Sequence, residues 1–290
     1  MIQFEFVKMQ ALGNDFIVID AIRQTIHLES QAIIALADRH YGIGCDQILL
    51  AEPANKADFF YRIYNADGSE ANQCGNGARC IAKFVIDQGL VQKSTLTFTT
   101  RTGNMYRAHL EEDGQIAVDM GEPSFEPLAI PIALPSTITD LYTLDIQGKI
   151  IEFAALSLGN PHAVIFKTPL DKETFKTIAP LLATHPFFLE GANVSFMMVK
   201  DRHHLMLWHY ERGAGETLAC GSAACAAAAV ALKHGLADSP ILVSMRGGRL
   251  KVFAENGHIW SVGPAFTVFD GAVKLDDIDR SYAAKPQHIS

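Results

Sequence analysis

The sequence predicts a mixed α+β fold made of two similar lobes that arose by internal duplication. Residues 68–80 read Gly-Ser-Glu-Ala-Asn-Gln-Cys-Gly-Asn-Gly-Ala-Arg-Cys, and residues 215–225 read Gly-Glu-Thr-Leu-Ala-Cys-Gly-Ser-Ala-Ala-Cys. A shift of 146 residues places Cys74 on Cys220 and the following Gly75 on Gly221. The predicted order of strands, helix and meander is also the same in both halves, as expected for a duplicated domain.

The same shift aligns residues elsewhere in the chain. Residues 12–19 fall on residues 158–165, so that Asn14 aligns with Asn160. Two more polar pairs follow in the same order, Gln47 with Asn193 and Asn65 with Glu211. Several matches at one offset and in one order indicate duplication rather than chance.

In the first half, apolar and β-branched runs predict strands over residues 4–8, 16–20 and 58–65. Helical spacing predicts helices over 31–39 and 76–89, the second ending at a glycine. Strands over 96–100, 105–110 and 115–120 form a meander, with turns at Thr102-Gly103 and Asp113-Gly114.

The second half repeats this order, with strands over 163–166, 194–200 and 204–210 and a helix over 222–234 that ends at Gly235. Its meander covers 241–245, 249–254 and 258–262. We therefore expect an N-terminal lobe over 1–121, completed by a C-terminal strand at 264–274. The C-terminal lobe covers 122–263, and a polar, loose tail covers 275–290.

Composition excludes several classes of function. The net charge is −8 and the pI is near 5.7, which argues against a nucleic-acid partner. No apolar run reaches the roughly 20 residues that cross a bilayer, and the N-terminus lacks the features of a signal peptide. We expect a cytoplasmic protein without a membrane partner. Five cysteines without a Cys-x-x-Cys pair favour neither a disulfide framework nor a structural zinc site.

A cysteine followed by a glycine begins the central helix of each half. A helix N-terminus lowers the pKa of a thiol and presents backbone N–H groups to an anion. If the halves face each other about a pseudo-two-fold axis, Cys74 and Cys220 meet across one cleft. Inversion at carbon requires a base on one face and an acid on the other, and a thiolate opposite a thiol supplies both. The helix N–H groups would hold the substrate α-carboxylate.

These motifs resemble those of the diaminopimelate epimerases. The resemblance runs from the first strand to about residue 272 and rests on residues 13–16, 65–70, 73–80, 158–162, 193 and 210–222. It implies two lobes, each a curved mixed sheet wrapped around a central helix, with the site between them. It also implies cofactor-independent interconversion of LL- and meso-diaminopimelate for lysine and peptidoglycan synthesis, by a homodimer.

The resemblance further implies a role for each matching residue. Cys74 and Cys220 match the acid–base pair, and His162 and Glu211 match residues that adjust the pKa values of the cysteines. The expected substrate contacts are Asn14, Gln47, Asn65, Gly75, Asn76, Asn160, Asn193, Glu211, Arg212, Gly221 and Ser222. Phe269 stands where the family often has a tyrosine linked to dimer packing, so the contribution of that hydroxyl is missing here.

Other interpretations compete with this one. A related cofactor-free racemase could act on proline or hydroxyproline, although Arg212 and the polar contacts favour a substrate with a charged far end. The chain could instead be a binding module whose cysteines hold a metal or a ligand. We expect Cys45, Cys80 and Cys225 to be core residues, and Glu70 and Glu216 to make hydrogen bonds within their own lobes.

Overall fold

The computed structural model describes residues 3–133, 139–168 and 171–283. The chain divides into two compact units, Met1–Val118 with Pro264–Ser290 and Asp119–Gly263. In the part of the chain described, no helix is long and apolar enough to span a membrane.

The first unit is built on a mixed sheet. Its strands are β1 (Gln3–Ala11), β2 (Asn14–Asp20), β3 (Gln47–Glu52), β4 (Phe59–Asn65), β5 (Thr95–Thr99), β6 (Met105–Leu110), β7 (Ile116–Asp119) and β17 (Phe266–Lys274). The sheet order is β17-β1-β2-β3-β4-β5-β6-β7, with parallel pairs β2–β3 and β4–β5 and antiparallel pairs elsewhere.

Helices cover this sheet. Helix α2 (Gly75–Asp87) packs against β1, β2, β3 and β6, and α1 (Ser30–Ala37) packs against β3. Ile17 and Ile19 of β2 join Ile33 and Leu36 of α1 in one apolar cluster. Residues 16–19 are all buried, which explains why β2 reads as a continuous apolar run rather than an alternating one.

The C-terminal segment corrects the predicted loose tail. Residues 275–283 form helix α5 (Leu275–Ala283), which packs against α1 and β17. Leu275 is buried and Ile278 packs on the same cluster as α1. The prediction of a loose segment is therefore wrong for 275–283, because a few apolar residues in a polar stretch suffice to dock a helix. The remainder, 284–290, lies outside the described residues.

The second unit contains the strands β8 (Tyr142–Ile146), β9 (Lys149–Ser157), β10 (Pro161–Ile165), β11 (Asn193–Asp201), β12 (His204–Glu211), β13 (Gly215–Glu216), β14 (Ile241–Met245), β15 (Gly248–Glu255) and β16 (His258–Gly263). Its sheet order is β8-β9-β10-β11-β12-β14-β15-β16, with parallel pairs β10–β11 and β12–β14. A short 3-10 turn, Pro127–Ala129, precedes these strands.

Helix α4 (Gly221–Lys233) packs against seven strands of this sheet, and α3 (Lys172–Ala183) packs against β8, β11 and β12. The order of parallel and antiparallel pairings is identical in the two units, with β17 in the first unit taking the place of β8 in the second. The mixed α+β class and the duplication are confirmed by this shared topology.

Among the described residues, the elements that were not predicted are β3, β8, β9, β13, α3 and the short 3-10 turn, in addition to α5. Two of them carry recognisable signals. Gln147 and Gly148 between β8 and β9 both have positive φ, as a tight hairpin requires. Asp171 accepts hydrogen bonds from the backbone N–H groups of Glu173 and Thr174, which is the N-cap pattern. Pro180 within α3 obscured the helical pattern.

The third residue of α2 has to be a glycine. A Cβ at Gly77 would lie 2.2 Å from the Tyr61 hydroxyl and 3.3 Å from Leu49. In the second unit, the shift of 146 residues places Ala223 and Leu207 at these positions. Because leucine lacks the phenolic oxygen, the second helix has room for the alanine.

We expect Gly77→Ala to destabilise the fold by about 1–3 kcal/mol through overpacking. Tyr61→Phe removes the oxygen, so Gly77→Ala should cost less in that background. Urea unfolding of the four proteins of this cycle measures the difference. An equal cost of Gly77→Ala in both backgrounds would show that the phenolic oxygen is not the obstacle.

Candidate active site

In each unit the predicted site residues collect at one edge of the sheet. Asn14 begins β2 and Gln47 begins β3, which are parallel, while Asn65 ends β4, which is antiparallel to β3. In the second unit Asn193 begins β11 and Glu211 ends β12, at the corresponding edge. The topology therefore brings together residues that are far apart in the sequence.

Cys74 is the N-cap residue of α2. Its backbone is extended, and its Sγ accepts the Gly77 N–H at 3.4 Å. The Sγ also lies 3.8 Å from Asn14 Oδ1. Cys74 is partly exposed, whereas the other four cysteines are buried. The thiol is thus held at a helix N-terminus within reach of solvent.

The amide of Asn14 is fixed from both ends. Its Nδ2 donates to Asp46 Oδ2 at 2.8 Å, so its Oδ1 faces Cys74 and accepts from Asn76 Nδ2 at 3.4 Å. Arg79, which is fully buried, donates to Asn76 Oδ1 at 2.5 Å. A chain of donors therefore orients the polar groups beside the thiol.

Gln47 and Asn65 lie opposite each other on β3 and β4. Gln47 Nε2 donates to Asn65 Oδ1 at 2.9 Å, and Asn65 Nδ2 donates to Ser69 Oγ at 3.0 Å. Both side chains are half-buried. Their amides form one polar patch on the first unit.

Cys220 is the N-cap residue of α4 and has a different environment. It is 6% exposed, and its Sγ lies 3.4 Å from Ser222 Oγ. Burial raises the pKa of the Cys220 thiol well above its usual range, and the negative charge of Glu211, to which the thiol is hydrogen-bonded, raises it further. The lowered pKa expected from the helix N-terminus is therefore wrong for Cys220, because desolvation and a carboxylate outweigh the helix.

A short network surrounds Glu211. Its Oε1 accepts a hydrogen bond from the Thr217 hydroxyl, and Thr217 Oγ1 lies 2.8 Å from His209 Nε2. Glu211 thus links the Cys220 thiol to residues on β12 and in the loop before α4.

Asn160 and His162 form the counterpart of the Asn14 region. His162 Nε2 lies 2.8 Å from Asn160 Oδ1, and Asn160 Nδ2 lies 3.5 Å from Ser222 Oγ. Asn14 and Asn76 show the same separation of 62 residues as Asn160 and Ser222. Burial lowers the pKa of His162 to about 3, so the ring is neutral and donates its Nε2–H to Asn160.

Asn193 and Arg212 are also joined. Asn193 Oδ1 accepts the backbone N–H of Arg212 at 3.0 Å, and Asn193 Nδ2 donates to the Pro161 carbonyl at 3.4 Å. The Arg212 guanidinium donates to the Glu190 carbonyl at 2.8 Å and lies 3.7 Å from the Glu190 carboxylate. Asn193 therefore anchors the loop that carries Arg212.

The remaining predicted residues lie as follows. Gly75 and Gly221 are the first residues of α2 and α4. Phe269 on β17 is 46% exposed, and its ring stacks edge-on against Phe6 at 6.0 Å. Cys45, Cys80 and Cys225 are buried core residues, and Glu70 and Glu216 pair with Arg62 and Arg246 within their own units. Within the described residues, no cluster of histidine, cysteine or acidic side chains could hold a metal ion.

Sequence reasoning missed Asp46, Arg79, His209 and Thr217. Arg79 and Thr217 lie within the two motifs that contain the cysteines, so the motifs themselves were a signal. Asp46 and His209 lie outside those motifs and are found only through tertiary contacts.

Iodoacetamide should modify Cys74 before any other cysteine. Cys74 is partly exposed at a helix start, whereas burial raises the pKa of Cys45 to about 12 and also raises the pKa values of Cys80 and Cys220. Timed alkylation at neutral pH with peptide mass spectrometry measures the order. Equal rates at Cys74 and Cys220 would contradict the protected environment of Cys220.

The chain is similar to known proteins over most of its length. The family model described as diaminopimelate epimerase matches residues 6–126 and 154–268. Diaminopimelate epimerase of Nitrosomonas europaea is 46% identical over 277 residues, which cover 94% of this chain and 100% of the relative. That of Alkalilimnicola ehrlichii is 46% identical over 276 residues, covering 93% and 99%.

More distant solved structures share the fold. A probable proline racemase from Agrobacterium radiobacter K84 has a TM-score of 0.68 and 14% identity, covering 94% of this chain and 93% of the other. A PhzF-family phenazine biosynthesis protein from Bacillus anthracis has a TM-score of 0.67 and 18% identity, covering 94% and 100%. At these identities the likeness concerns the fold alone. The family match and the close relatives, in contrast, show that the chain belongs to the diaminopimelate epimerase family.

Proposed function

We propose that this enzyme interconverts LL- and meso-diaminopimelate by moving a proton at one α-carbon between two thiols, without a cofactor. The observation that carries the proposal is that Cys74 and Cys220 cap the corresponding helices of two duplicated units. The type of reaction is inferred from the family to which the chain belongs. A cytoplasmic role in the supply of lysine and peptidoglycan precursors goes with it.

We assign the proton-donor role in the resting enzyme to Cys220. Its thiol is buried beside the Glu211 carboxylate, and both effects favour the neutral thiol. The Cys74 Sγ accepts the Gly77 N–H at the start of α2, which stabilises the thiolate; as a thiol, Cys74 instead donates to Asn14 Oδ1. Cys74 is therefore assigned as the base: its thiolate sulfur takes the α-proton, the electron pair of the broken C–H bond stays on the α-carbon, and the Cys220 thiol delivers its proton to the opposite face and becomes the thiolate.

Charge that develops on the α-carboxylate needs preorganised donors. The first backbone N–H groups of an α-helix point out of its start, and α2 and α4 begin at Gly75 and Gly221. Their dipoles favour negative charge at this place. Asn76 and Ser222, one residue further, are held by Asn14 and Asn160 and add side-chain donors.

The other end of the substrate carries an amino and a carboxyl group. Arg212 can bind that carboxylate in a bidentate manner, exchanging its contact with Glu190 for the substrate. The amide oxygens of Gln47, Asn65, Asn160 and Asn193 suit an ammonium group. Proline has no second amino and carboxyl group, so these residues favour diaminopimelate over proline as the proposed substrate.

The test is incubation of LL-diaminopimelate with reduced enzyme in deuterated water. Deuterium should enter the α-carbon as the meso isomer forms, measured by NMR and chiral chromatography. Cys74→Ala and Cys220→Ala should each lower the rate by about 10²-fold or more, as expected for loss of an acid–base group.

Cys225→Ala is the matched control, since this buried cysteine lies in the alanine run of α4. It should retain activity. Proline and hydroxyproline should not exchange their α-protons. No label with the wild-type enzyme, or full labelling by the Cys74→Ala, Cys220→Ala double variant, would disprove the proposed chemistry.

We further propose that the enzyme is a homodimer that uses β17. Phe266, Val268 and Phe269 of this strand are 53%, 58% and 46% exposed, which is unusual for three apolar side chains within four residues. Phe269 takes the position that the family links to dimer packing.

Phe269→Asp should raise the dimer dissociation constant by about tenfold or more, because the variant places a charge in an apolar contact. A tenfold change in the dissociation constant corresponds to only about 1.4 kcal/mol of binding free energy. Phe269→Tyr keeps the ring and should preserve the dimer. Sedimentation velocity measures both. Leu128→Asp, which places the same charge at an 83% exposed leucine, is the control. A monomeric wild type would refute the dimer.

A further inference from the structure

A buried histidine lies behind Glu211 in the second unit. His209 of β12 is 3% exposed, and its Nε2 lies 2.8 Å from Thr217 Oγ1. The Thr217 hydroxyl in turn donates to Glu211 Oε1. The direct distance from His209 Nε2 to Glu211 Oε1 is 4.0 Å, so the hydroxyl bridges the two.

The direction of this chain follows from the number of hydrogens. The Thr217 hydroxyl has one hydrogen, which it gives to the Glu211 carboxylate, so it accepts its second bond from His209 Nε2–H. Burial lowers the pKa of His209 to about 4. At neutral pH the ring is therefore uncharged, and it acts as a fixed N–H donor.

Other charged groups surround His209. Glu216 of β13 and Arg246, which follows β14, act on it with opposite signs and form an ion pair with each other. His162 of β10 also interacts electrostatically with His209, but its ring is neutral. Glu211 is the charged group that the histidine reaches through a hydrogen bond to Thr217.

The duplication provides an internal comparison. The shift of 146 residues places Ile63, Ala71 and Asn65 where the second unit has His209, Thr217 and Glu211. None of these three side chains can ionise. The hydrogen-bond chain from His209 through Thr217 to the Glu211 carboxylate, which also accepts from the Cys220 thiol, therefore belongs to the second unit, whereas the Cys74 thiol donates to the amide oxygen of Asn14.

We propose that His209 is a positioning residue for the epimerisation: through Thr217 it holds the Glu211 carboxylate in place to accept the hydrogen bond of the Cys220 thiol. This inference rests on the proposed function. Without the His209 N–H, the Thr217 hydroxyl is neither oriented nor polarised, and its bond to Glu211 weakens. The Glu211 carboxylate then attracts the proton of the Cys220 thiol more strongly. The pair of groups therefore loses that proton at a higher pH.

The test is the pH dependence of kcat/KM for diaminopimelate. His209→Leu should move the alkaline limb of the profile upward by about half a pH unit or more, since the Thr217 hydrogen bond to the charged Glu211 carboxylate is weakened. His209→Gln places an amide N–H near the position of Nε2 and should restore the wild-type limb. Thr217→Val should move the limb in the same direction as His209→Leu.

The matched control is His204→Leu. His204 lies on the same strand, and its Nε2 bonds the Ser244 hydroxyl at 2.9 Å, but this bond is remote from Glu211. The control should leave the limb unmoved. In the Thr217→Val background, His209→Leu should cause no further shift, because the histidine acts through that hydroxyl.

An unmoved limb in His209→Leu, with or without a lower kcat, would reduce His209 to a packing residue and overturn the inference. A shift that adds to that of Thr217→Val would also overturn it. These outcomes require a wild-type enzyme that epimerises diaminopimelate. An inactive wild type would instead refute the proposed function, so the two failures are distinguishable.

Discussion

The candidate site depends on two helices that are enclosed by their sheets. Of the thirteen residues of α4, ten are buried, and those from Ala226 to Ala229 are small enough for strands to approach closely on several sides. A helix packed in this way cannot slide or rotate without opening the core, because protein interiors are close-packed. Its N-cap residue is therefore held as firmly as a core side chain. Cys74 and Cys220 inherit their positions from this constraint.

The duplication supplies two similar thiols, and the side chains around them make the two different. Cys74 meets an amide oxygen and is reached by solvent, whereas Cys220 is buried beside a carboxylate. Inversion by proton transfer needs one thiol that holds a proton and one that has lost it. Identical environments would not decide which is which. The substitution of Glu211 for its counterpart Asn65 breaks that equivalence without changing the fold.

The repeat made much of this arrangement predictable. One offset aligned Asn14, Gln47 and Asn65 with their counterparts, and the shared order of pairings places both sets at the same edge of each sheet. The direction of the pKa shift at Cys220 was not predictable, because the effect of a helix start is local, whereas burial and the Glu211 carboxylate arise from tertiary contacts. Helix α5 was missed for a related reason: its docking depends on α1, more than 230 residues away in the chain.

Burial also changes what histidine can do in this enzyme. His162 and His209 have pKa values lowered to about 3 and about 4, so each is neutral at the pH where a cysteine can be deprotonated. A neutral imidazole with its Nε2–H committed to a neighbouring oxygen is a poor proton carrier and a good orienting dipole. Both rings donate to groups that touch the site, Asn160 and Thr217. In the proposed mechanism, proton transfer is therefore left to the two sulfur atoms, and the two histidines orient the groups beside them.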